Sequence, residues 1–156
     1  MNKQEFSKRV LALEGRLYRI SYGMLQNRQD AMDAAQEAVL RAWEKLESLR
    51  EARYFETWLT RILINVCRTM LASRRSAVPL ESVAEPAAPE GAHPALHDAL
   101  MALEGELRLP VMLHYMEGYR VREIAQMLEI PEGTVKSRMK RAKLELKRQL
   151  GGEAEL

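Results

Sequence analysis

A stretch of 20 residues, from Ser76 to Ala95, interrupts an otherwise helical pattern and divides the chain of 156 residues in two. The stretch holds four of the six prolines and no Lys or Arg, and its apolar residues follow no sustained period. Such a composition is typical of a flexible, partly extended linker. We therefore predict two small domains, one on each side of it.

The fold class follows from the spacing of apolar residues in the two halves. These residues recur at helical intervals, and no stretch alternates with period two for long enough to indicate a strand. We predict an all-α fold with a helical domain at 1–75, the linker at 76–95, a second helical domain at 96–150 and a tail at 151–156. No run approaches the roughly 18 apolar residues of a membrane span, and the N-terminus lacks the apolar segment of a signal peptide. A single cysteine, Cys67, excludes an internal disulfide, so a cytoplasmic protein is expected.

Positive charge is concentrated near the C-terminus, although the net charge of the chain is only +2. Residues 132–149 carry seven Lys or Arg and two acidic residues. On a helical wheel, their apolar residues form one stripe: Val135, Met139, Ala142, Leu146 and Leu150. The opposite face carries Lys136, Ser137, Lys140, Arg141 and Leu144. Such a helix is either a solvated surface helix or one that binds nucleic acid.

The segment before this basic helix favours nucleic acid. It has its own apolar stripe (Val121, Ile124, Ala125 and Leu128) and ends at a break in the pattern. At that break, Pro131 suits the first turn of a new helix, Glu132 suits its positive end, and Gly133 permits close approach of a backbone. A short helix, a tight turn and a basic helix predict a helix-turn-helix, whose second helix enters the major groove. Four side chains there can reach bases or phosphates: Thr134, Lys136, Ser137 and Arg141.

An alanine-rich helix is predicted from Asp30 to Leu46. Its expected buried stripe consists of Ala31, Ala35, Ala38, Ala42 and Leu46. The opposite face carries Asp33, Gln36, Glu37, Leu40 and Glu44. This acidic face with a leucine in it is either plainly solvated or a docking surface for a basic partner helix.

A third helix is predicted from Tyr54 to Arg75. Its expected core stripe consists of Phe55, Leu59, Ile62, Val66 and Met70. Beside that stripe, Trp58, Arg61, Asn65 and Arg68 align at steps of 3, 4 and 3. Aromatic, basic and amide groups on one edge suit unpaired bases, although a tryptophan is also a common core residue.

Three blocks of sequence, in this order, resemble the extracytoplasmic-function sigma factors, group IV of the bacterial sigma-70 family. The blocks are QNRQDAMDAAQEAVLRAWEKL, FETWLTRILINVCRTMLASRR and LPVMLHYMEGYRVREIAQMLEIPEGTVKSRMKRAKLELKRQL. They cover nearly the whole chain outside the linker. The resemblance implies that the protein binds core RNA polymerase and directs it to promoters, with core polymerase and promoter DNA as its partners.

The resemblance also implies a role for each block. The helix at 30–46 would dock on the clamp helices of the polymerase β′ subunit, with the main contacts at Asp33, Gln36 and Glu37 and with Leu40 on the same face. The block at 54–75 would open the −10 element, with Asn65 in its recognition, and the loop at 47–53 would help capture an extruded base. The C-terminal domain would recognise the −35 element, and its other surface would meet the β flap. The recognition positions are occupied by Lys136, Ser137, Arg138, Lys140 and Arg141. An anti-sigma factor is a common further partner in this family.

Two other functions fit parts of the sequence. A response-regulator type of transcriptional regulator would also carry the TVKSR helix but would bind duplex DNA without polymerase. A helical adaptor would bind only protein and show no salt-sensitive DNA binding. An enzyme is not expected, because no nucleophile with a partner base and no glycine-rich phosphate loop is present. No cofactor or metal is predicted either, since Pro94 and the linker setting argue against His93 and His97 as a ligand pair.

Overall fold

The structure, a computed structural model, describes residues 1–76 and 94–151. Within these ranges the secondary structure is helical and no strand is present, which confirms the predicted all-α fold. The helices are α1 (Lys3–Leu25), α2 (Arg28–Glu44), α3 (Phe55–Ser76), α4 (Pro94–Ala102), α5 (Gly105–Val111), α6 (Val121–Leu128) and α7 (Glu132–Gln149). Short 3-10 turns at Leu46–Ser48 and Ala52–Tyr54 join α2 to α3, and a π-helical turn at Met112–Met116 follows α5.

The chain divides into two compact units, of which the first contains α1, α2 and α3. These three helices pack against one another in every pairing. The connection between α1 and α2 is short: Gln26 takes a left-handed backbone conformation, and the Asn27 side chain caps α2 by accepting from the Asp30 N–H at 2.9 Å. So short a connection between two long helices makes them neighbours in the unit.

The buried side of α2 differs from its predicted stripe. Its fully buried residues are Ala31, Ala34, Ala38 and Ala42, while the expected Ala35 and Leu46 are only partly covered. The helix contacts both α1 and α3, so its covered arc is wider than one stripe and is centred differently. Four small side chains in that arc allow the two neighbouring helices to come close.

The same correction applies to α3. Phe55, Leu59 and Val66 are buried as predicted, whereas Ile62 and Met70 remain partly exposed. Fully buried positions that the predicted stripe omits are Leu63, Ile64 and Cys67. Because α3 packs on both α1 and α2, its buried surface extends around the helix beyond a single line.

The second unit contains α4, α5 and α7, with α4 and α5 packed on α7. Four of the five predicted core residues of α7, Val135, Met139, Ala142 and Leu146, are buried. The fifth, Leu150, is the residue after the helix end and is partly exposed.

An arginine is buried in this second unit. The guanidinium of Arg108 donates hydrogen bonds to the backbone carbonyls of Met101, at 3.1 Å, and Leu103, at 3.0 Å. These carbonyls lie at the end of α4, where helix geometry leaves acceptors without a partner inside the helix. Burial lowers the pKa of the Arg108 guanidinium from its ordinary value. The side chain therefore fixes α5 to the C-terminal end of α4.

The expected linker is shorter at both ends than 76–95. Ser76 is the last residue of α3, and Pro94 opens α4, where the fixed backbone angle of proline suits a first helical position. The rest of that segment lies outside the described residues, as do residues 152–156 of the expected tail.

Candidate nucleic-acid and protein interfaces

The turn between α6 and α7 has the local geometry of a helix-turn-helix. Glu129 takes a left-handed conformation at the end of α6, and the Ile130 N–H donates to the Ala125 carbonyl at 3.1 Å. Pro131, expected in the first turn of α7, instead lies one residue before the helix, with φ −62° and ψ 150°. At this position its ring still directs the chain into α7, and its missing N–H costs no hydrogen bond of the helix.

The start of α6 uses its third residue as a cap. Arg120 precedes the helix and is a residue type with little preference for that position. Its backbone N–H donates to the Glu123 Oε1 at 3.0 Å. The carboxylate thus anchors the first turn of α6 without a Ser or Thr before it.

The polar face of α7 is open to solvent opposite its buried stripe. Lys136, Ser137, Lys140 and Arg141 are exposed, and Thr134 and Arg138 are partly covered at its sides. A side chain at Gly133 would meet no protein atom within 4 Å, so the N-terminal turn presents bare backbone to the solvent. The structure thus brings all six predicted duplex-binding residues to one segment of a single helix, at 134–141.

The C-terminal half of α7 uses its charge differently. Arg148 donates to the Glu145 Oε2 at 3.0 Å, and Gln149 donates to the Oε1 at 3.3 Å. The hydrogen bond from Arg148 is the main cause that lowers the pKa of Glu145 to about 2. Lys143 places its ammonium 4.8 Å from the centre of the Tyr115 ring. Arg148 and Lys143 are therefore engaged with residues of their own domain.

The predicted edge of α3 is present as an exposed line of side chains. Arg61, Asn65 and Arg68 are exposed, and Trp58 is half-buried beside them. The Trp58 indole N–H donates to the Ser48 Oγ at 3.3 Å, and the ring centre lies 5.9 Å from that of Phe55. Trp58 therefore belongs partly to the core, yet it keeps an exposed surface next to the basic and amide groups.

The loop at 47–53 is structured by contacts from both sides. The two 3-10 turns account for most of its length, and Ser48 holds the first turn to Trp58. Arg9 of α1 donates to the Ala52 carbonyl at 2.8 Å and so holds the second turn.

The face of α2 opposite the core carries the four predicted polymerase-binding residues. Asp33, Gln36, Glu37 and Leu40 are all exposed, Leu40 by 59%. Asp33 accepts from Gln29 at 2.9 Å, and Glu37 pairs with Arg41 at 3.0 Å.

Two further exposed residues of this face were not predicted from the sequence. Met32 and Trp43 are 50% and 45% exposed. Together with Gln36 and Leu40 they form a line at steps of 4, 4 and 3, and that spacing was the signal available in the sequence. Several large apolar side chains kept at the surface of one helix indicate a protein-binding face.

Among residues 1–76 and 94–151, no group of His, Cys, Asp and Glu could hold a metal ion. His93, one member of the rejected ligand pair, lies outside those residues. No helix in the described part of the chain is long and apolar enough to cross a membrane.

Comparison with known proteins assigns each unit to a domain family. The family profile of Sigma-70 region 2 matches residues 10–77, and that of Sigma-70, region 4 matches residues 93–146. The chain is 38% identical over 140 residues to the ECF RNA polymerase sigma factor SigM of Mycobacterium tuberculosis, an alignment that covers 86% of this chain and 71% of SigM.

The chain belongs to the extracytoplasmic-function sigma factors. This sigma factor is also 29% identical to the ECF RNA polymerase sigma factor SigW of Bacillus subtilis, over 96% of its own length and 90% of SigW. The response-regulator alternative is not favoured, because the region 2 match covers most of α1 and all of α2 and α3, which a helix-turn-helix regulator would not need.

Solved structures share the fold of this sigma factor. RpoE of Bartonella quintana, solved in complex with the anti-sigma factor NepR, matches with a TM-score of 0.83 and 24% identity over 97% of this chain and 99% of RpoE. CnrH, solved in complex with the cytosolic domain of CnrY, matches with a TM-score of 0.73 and 21% identity over 98% of this chain and 92% of CnrH.

Proposed function

We propose that this sigma factor starts transcription through three surfaces, one on each of three helices. The exposed face of α2 docks on the β′ clamp helices of core polymerase, the edge of α3 holds the opened −10 strand, and the polar face of α7 recognises the −35 duplex. The observation that carries the proposal is the line of half-buried Trp58 and exposed Arg61, Asn65 and Arg68 along one edge of α3. A protein that only binds duplex DNA has no use for such a line.

Strand opening needs no chemistry on this chain, so we propose a protein that is not an enzyme and acts in the cytoplasm without cofactor or metal. Separating base pairs costs about 1–2 kcal/mol per stacked step. Stacking of released bases on aromatic side chains returns about 1–3 kcal/mol per base. Trp58 supplies such a surface, Arg61 and Arg68 can pair with phosphates, and Asn65 can bond a base edge. Attachment to the much larger polymerase supplies the remaining free energy.

Duplex recognition is assigned to the N-terminal half of α7. Lys136 and Arg141 can donate to guanine acceptors or phosphates, and Ser137 can bond either. Arg138 and Thr134, at the sides of the helix, suit phosphate contacts that set its position in the groove. The bare backbone at Gly133 would let a phosphate approach the positive end of the helix.

Docking on polymerase is assigned to Asp33, Gln36, Glu37 and Leu40, extended by Met32 and Trp43. The carboxylates would meet basic residues of the clamp helices, while the apolar side chains would supply most of the free energy of binding. The C-terminal unit would meet the β flap through a surface other than the polar face of α7.

The division of labour can be tested by run-off transcription with purified core polymerase and genomic promoter fragments. Lys136→Ala and Arg141→Ala should weaken use of the −35 element, whereas Trp58→Ala and Asn65→Ala should impair opening. Templates already mismatched over the −10 element should rescue the second pair and not the first. If they rescue neither pair, the assignment of opening to α3 is wrong.

An anti-sigma factor is the further partner that we propose. RpoE and CnrH, which share this fold, were each solved bound to a second protein, and for RpoE that protein is an anti-sigma factor. A partner that covers the face of α2 would block docking on core polymerase. Purification of the tagged protein from its own cells should recover such a partner, and Leu40→Asp should reduce its recovery together with that of core polymerase.

A further inference from the structure

All the tryptophans and phenylalanines of the chain lie in one row within the first unit. The chain of 156 residues has two Trp and two Phe. The ring centre of Phe6 lies 5.1 Å from that of Trp43 and 5.8 Å from that of Phe55. The Phe55 ring centre in turn lies 5.9 Å from that of Trp58. We call these four rings, in the order Trp43, Phe6, Phe55 and Trp58, the aromatic row.

The two ends of the aromatic row lie on two different proposed binding surfaces. Trp43 is 45% exposed on the docking face of α2, and Trp58 is half-buried on the −10 edge of α3. The two rings between them, Phe6 and Phe55, are buried. The row therefore runs from the polymerase-docking face through the core to the edge that would hold DNA.

Phe6 connects the α2 end of the aromatic row to the α3 end, and it is supplied by α1, a helix without a role in the three surfaces. Its ring is inclined by 58° to the Trp43 ring and by 89° to the Phe55 ring. Tilted and edge-on contacts at such distances are the favourable arrangements of aromatic pairs. The first turn of α1 is fixed as well, because the Asn2 side chain accepts from the Glu5 N–H at 2.9 Å.

The α3 end of the aromatic row is held by contacts from other elements. The guanidinium carbon of Arg9 lies 5.8 Å from the Phe55 ring centre, and Arg9 donates to the Ala52 carbonyl at 2.8 Å. The Trp58 indole N–H donates to the Ser48 Oγ at 3.3 Å. Because closely packed interiors transmit strain, a displacement of Phe6 would move these two rings instead of being absorbed around them.

We infer that Phe6 is a positioning residue through which the docking of Trp43 on core polymerase fixes the ring of Trp58 at the −10 edge. The inference rests on the proposed function, in which α2 docks on polymerase and α3 holds the opened strand. Docking covers the exposed part of Trp43 and restricts its ring, and the packed rings of Phe6 and Phe55 carry that restriction to α3. Trp58 then has less freedom to lose when DNA binds, which favours binding.

The first test measures binding of a forked DNA by holoenzyme, with core polymerase at a concentration that saturates each variant of the full chain. The fork carries the non-template overhang of a promoter selected on wild-type holoenzyme. Trp43→Leu should weaken fork binding about fivefold even at saturation, the effect of losing one aromatic pair. Trp43→Phe keeps a ring against Phe6 and should recover most of this loss.

The second test breaks the aromatic row at its centre. Phe6→Leu keeps an apolar side chain in the core and should weaken fork binding by a similar factor. In the double variant Phe6→Leu with Trp43→Leu the two losses should not add, because both substitutions interrupt the same row. Tyr18→Leu is the matched control, since it removes a ring of α1 that stacks on Tyr22 at 6.1 Å outside the row. It should leave fork binding unchanged, and thermal unfolding would establish that each variant is folded at the assay temperature.

Fluorescence gives a readout that a mere loss of stability would not move. Trp58 is the one tryptophan left in Trp43→Phe, so this variant labelled with 7-azatryptophan can be excited at wavelengths that spare the tryptophans of core polymerase. Saturation with core polymerase should shift the emission of Trp58 before any DNA is added. Phe6→Leu in the same background should abolish that shift.

Three outcomes would overturn the positioning role and leave the proposed function standing. They are wild-type fork binding by saturated Phe6→Leu holoenzyme, additive losses in the double variant, and an emission shift that Phe6→Leu does not alter. If Leu40→Ser weakened fork binding at saturation as much as Trp43→Leu does, the effect would belong to docking in general and not to the row. Should Phe6→Leu not fold, equal fork binding by Trp43→Leu and Trp43→Phe would still refute the role. A wild-type holoenzyme that opens no promoter would instead refute the proposed function itself.

Discussion

A single buried arginine joins two helices of the second unit and should contribute measurably to its stability. Arg108 donates to the Met101 and Leu103 carbonyls from a buried position in α5. Arg108→Met would fill a similar volume but leave those carbonyls without the guanidinium. We expect it to lower the free energy of unfolding by about 2 kcal/mol, since hydrogen bonds from charged donors are worth that order. Urea unfolding and hydrogen exchange of the α4 amides would measure the loss.

The matched control for this change is Arg122→Met, at an exposed position of α6. It removes the same charge and adds the same side chain without breaking a buried contact, so unfolding should shift by less than about 0.5 kcal/mol. Equal effects of the two substitutions would show that the Arg108 hydrogen bonds contribute nothing specific.

Cys67 gives the first unit a stability that depends on pH. Burial is the main cause that raises the pKa of its thiol from 9.0 to about 11, against smaller opposing effects of Ser21 and Arg74. Folding therefore favours the protonated thiol. The stabilisation is complete below pH 9 and disappears as the pH rises through 11, an effect of about 2–3 kcal/mol.

The measurement is the free energy of unfolding against pH for the wild type and for Cys67→Ala. The alanine variant should be less stable by a constant amount below pH 9, because it leaves a small cavity. The difference between the two proteins should then shrink or reverse between pH 9 and 11. Parallel curves over that range would mean that the thiol is not held in its neutral form. Labelling by Ellman's reagent at pH 8 should also be slow until the protein unfolds.

Among these helices, the buried residues of α7 were predicted best, and those of α2 and α3 were predicted less well. The α7 stripe was correct at four positions because the buried residues of α7, Val135, Met139, Ala142 and Leu146, lie on one stripe. In α2 and α3, packing against two long helices widens the buried arc, which is why Ala34 and Leu63 were not predicted and Ala35 and Ile62 were. Burial of Arg108 could not be predicted, because its carbonyl partners are set only by tertiary packing.

The N-terminal turn of α7 offers a test in which stability and binding should move in opposite directions. Gly133 is the second residue of the helix, and a Cβ there would meet no protein atom. Gly133→Ala should stabilise the unit by up to about 1 kcal/mol, since alanine favours the helix. It should weaken −35-dependent transcription if DNA backbone comes close to this turn.

Thermal unfolding would measure the change in stability. Run-off transcription would measure the change in activity, on templates that depend on the −35 element and on templates already mismatched over the −10 element. Gly105→Ala is the matched control, because it is the first residue of α5 and its Cβ would lie at an ordinary 3.8 Å from Arg108. A Gly133→Ala protein that is more stable and fully active would show that the bare backbone is not used.

A substitution on the proposed docking face of α2 should weaken polymerase binding without unfolding the protein. Leu40→Ser removes an exposed apolar side chain, so the free protein should unfold as the wild type does. Its affinity for core polymerase should fall about tenfold, the effect of roughly 1.4 kcal/mol at a buried contact. Competition with labelled wild-type protein for core polymerase would measure it. Leu144→Ser, at an exposed leucine of α7, is the control, and an equal loss there would refute a specific docking face on α2.

For the molecule as a whole, the sequence indicated both units and the helix-turn-helix. The composition of the segment between the units and the helical periodicity of the apolar residues were the signals. It did not indicate how the loop at 47–53 is held. Arg9, which binds the Ala52 carbonyl, is distant from the loop in sequence, and the nearby Trp58 carries no sequence signal of its hydrogen bond to Ser48. Side-chain to backbone contacts of this kind leave no periodic signal. The candidate surfaces were thus predictable as faces of helices, and their supports were not.

The distribution of charge over the molecule predicts how binding depends on salt. A net charge of +2 would give little attraction for DNA by itself, whereas the exposed cations on α7 are concentrated on one face. Each phosphate neutralised by a protein cation releases counterions, so log K against log salt falls with a slope of about −0.9 per contact. Binding of promoter duplex by the holoenzyme should therefore weaken steeply with salt.

Lys136→Ala and Arg141→Ala should each reduce that slope by about 1 if the side chain contacts a phosphate, and should leave it unchanged if it contacts only a base edge. Lys147→Ala, at an exposed position in the other half of α7, is the control and should alter neither slope nor affinity. Fluorescence anisotropy of labelled duplex at a series of salt concentrations would give both quantities. If Lys147→Ala lowers the slope as much as Lys136→Ala does, the duplex lies along the whole helix, and the confinement of DNA contacts to its N-terminal half is wrong.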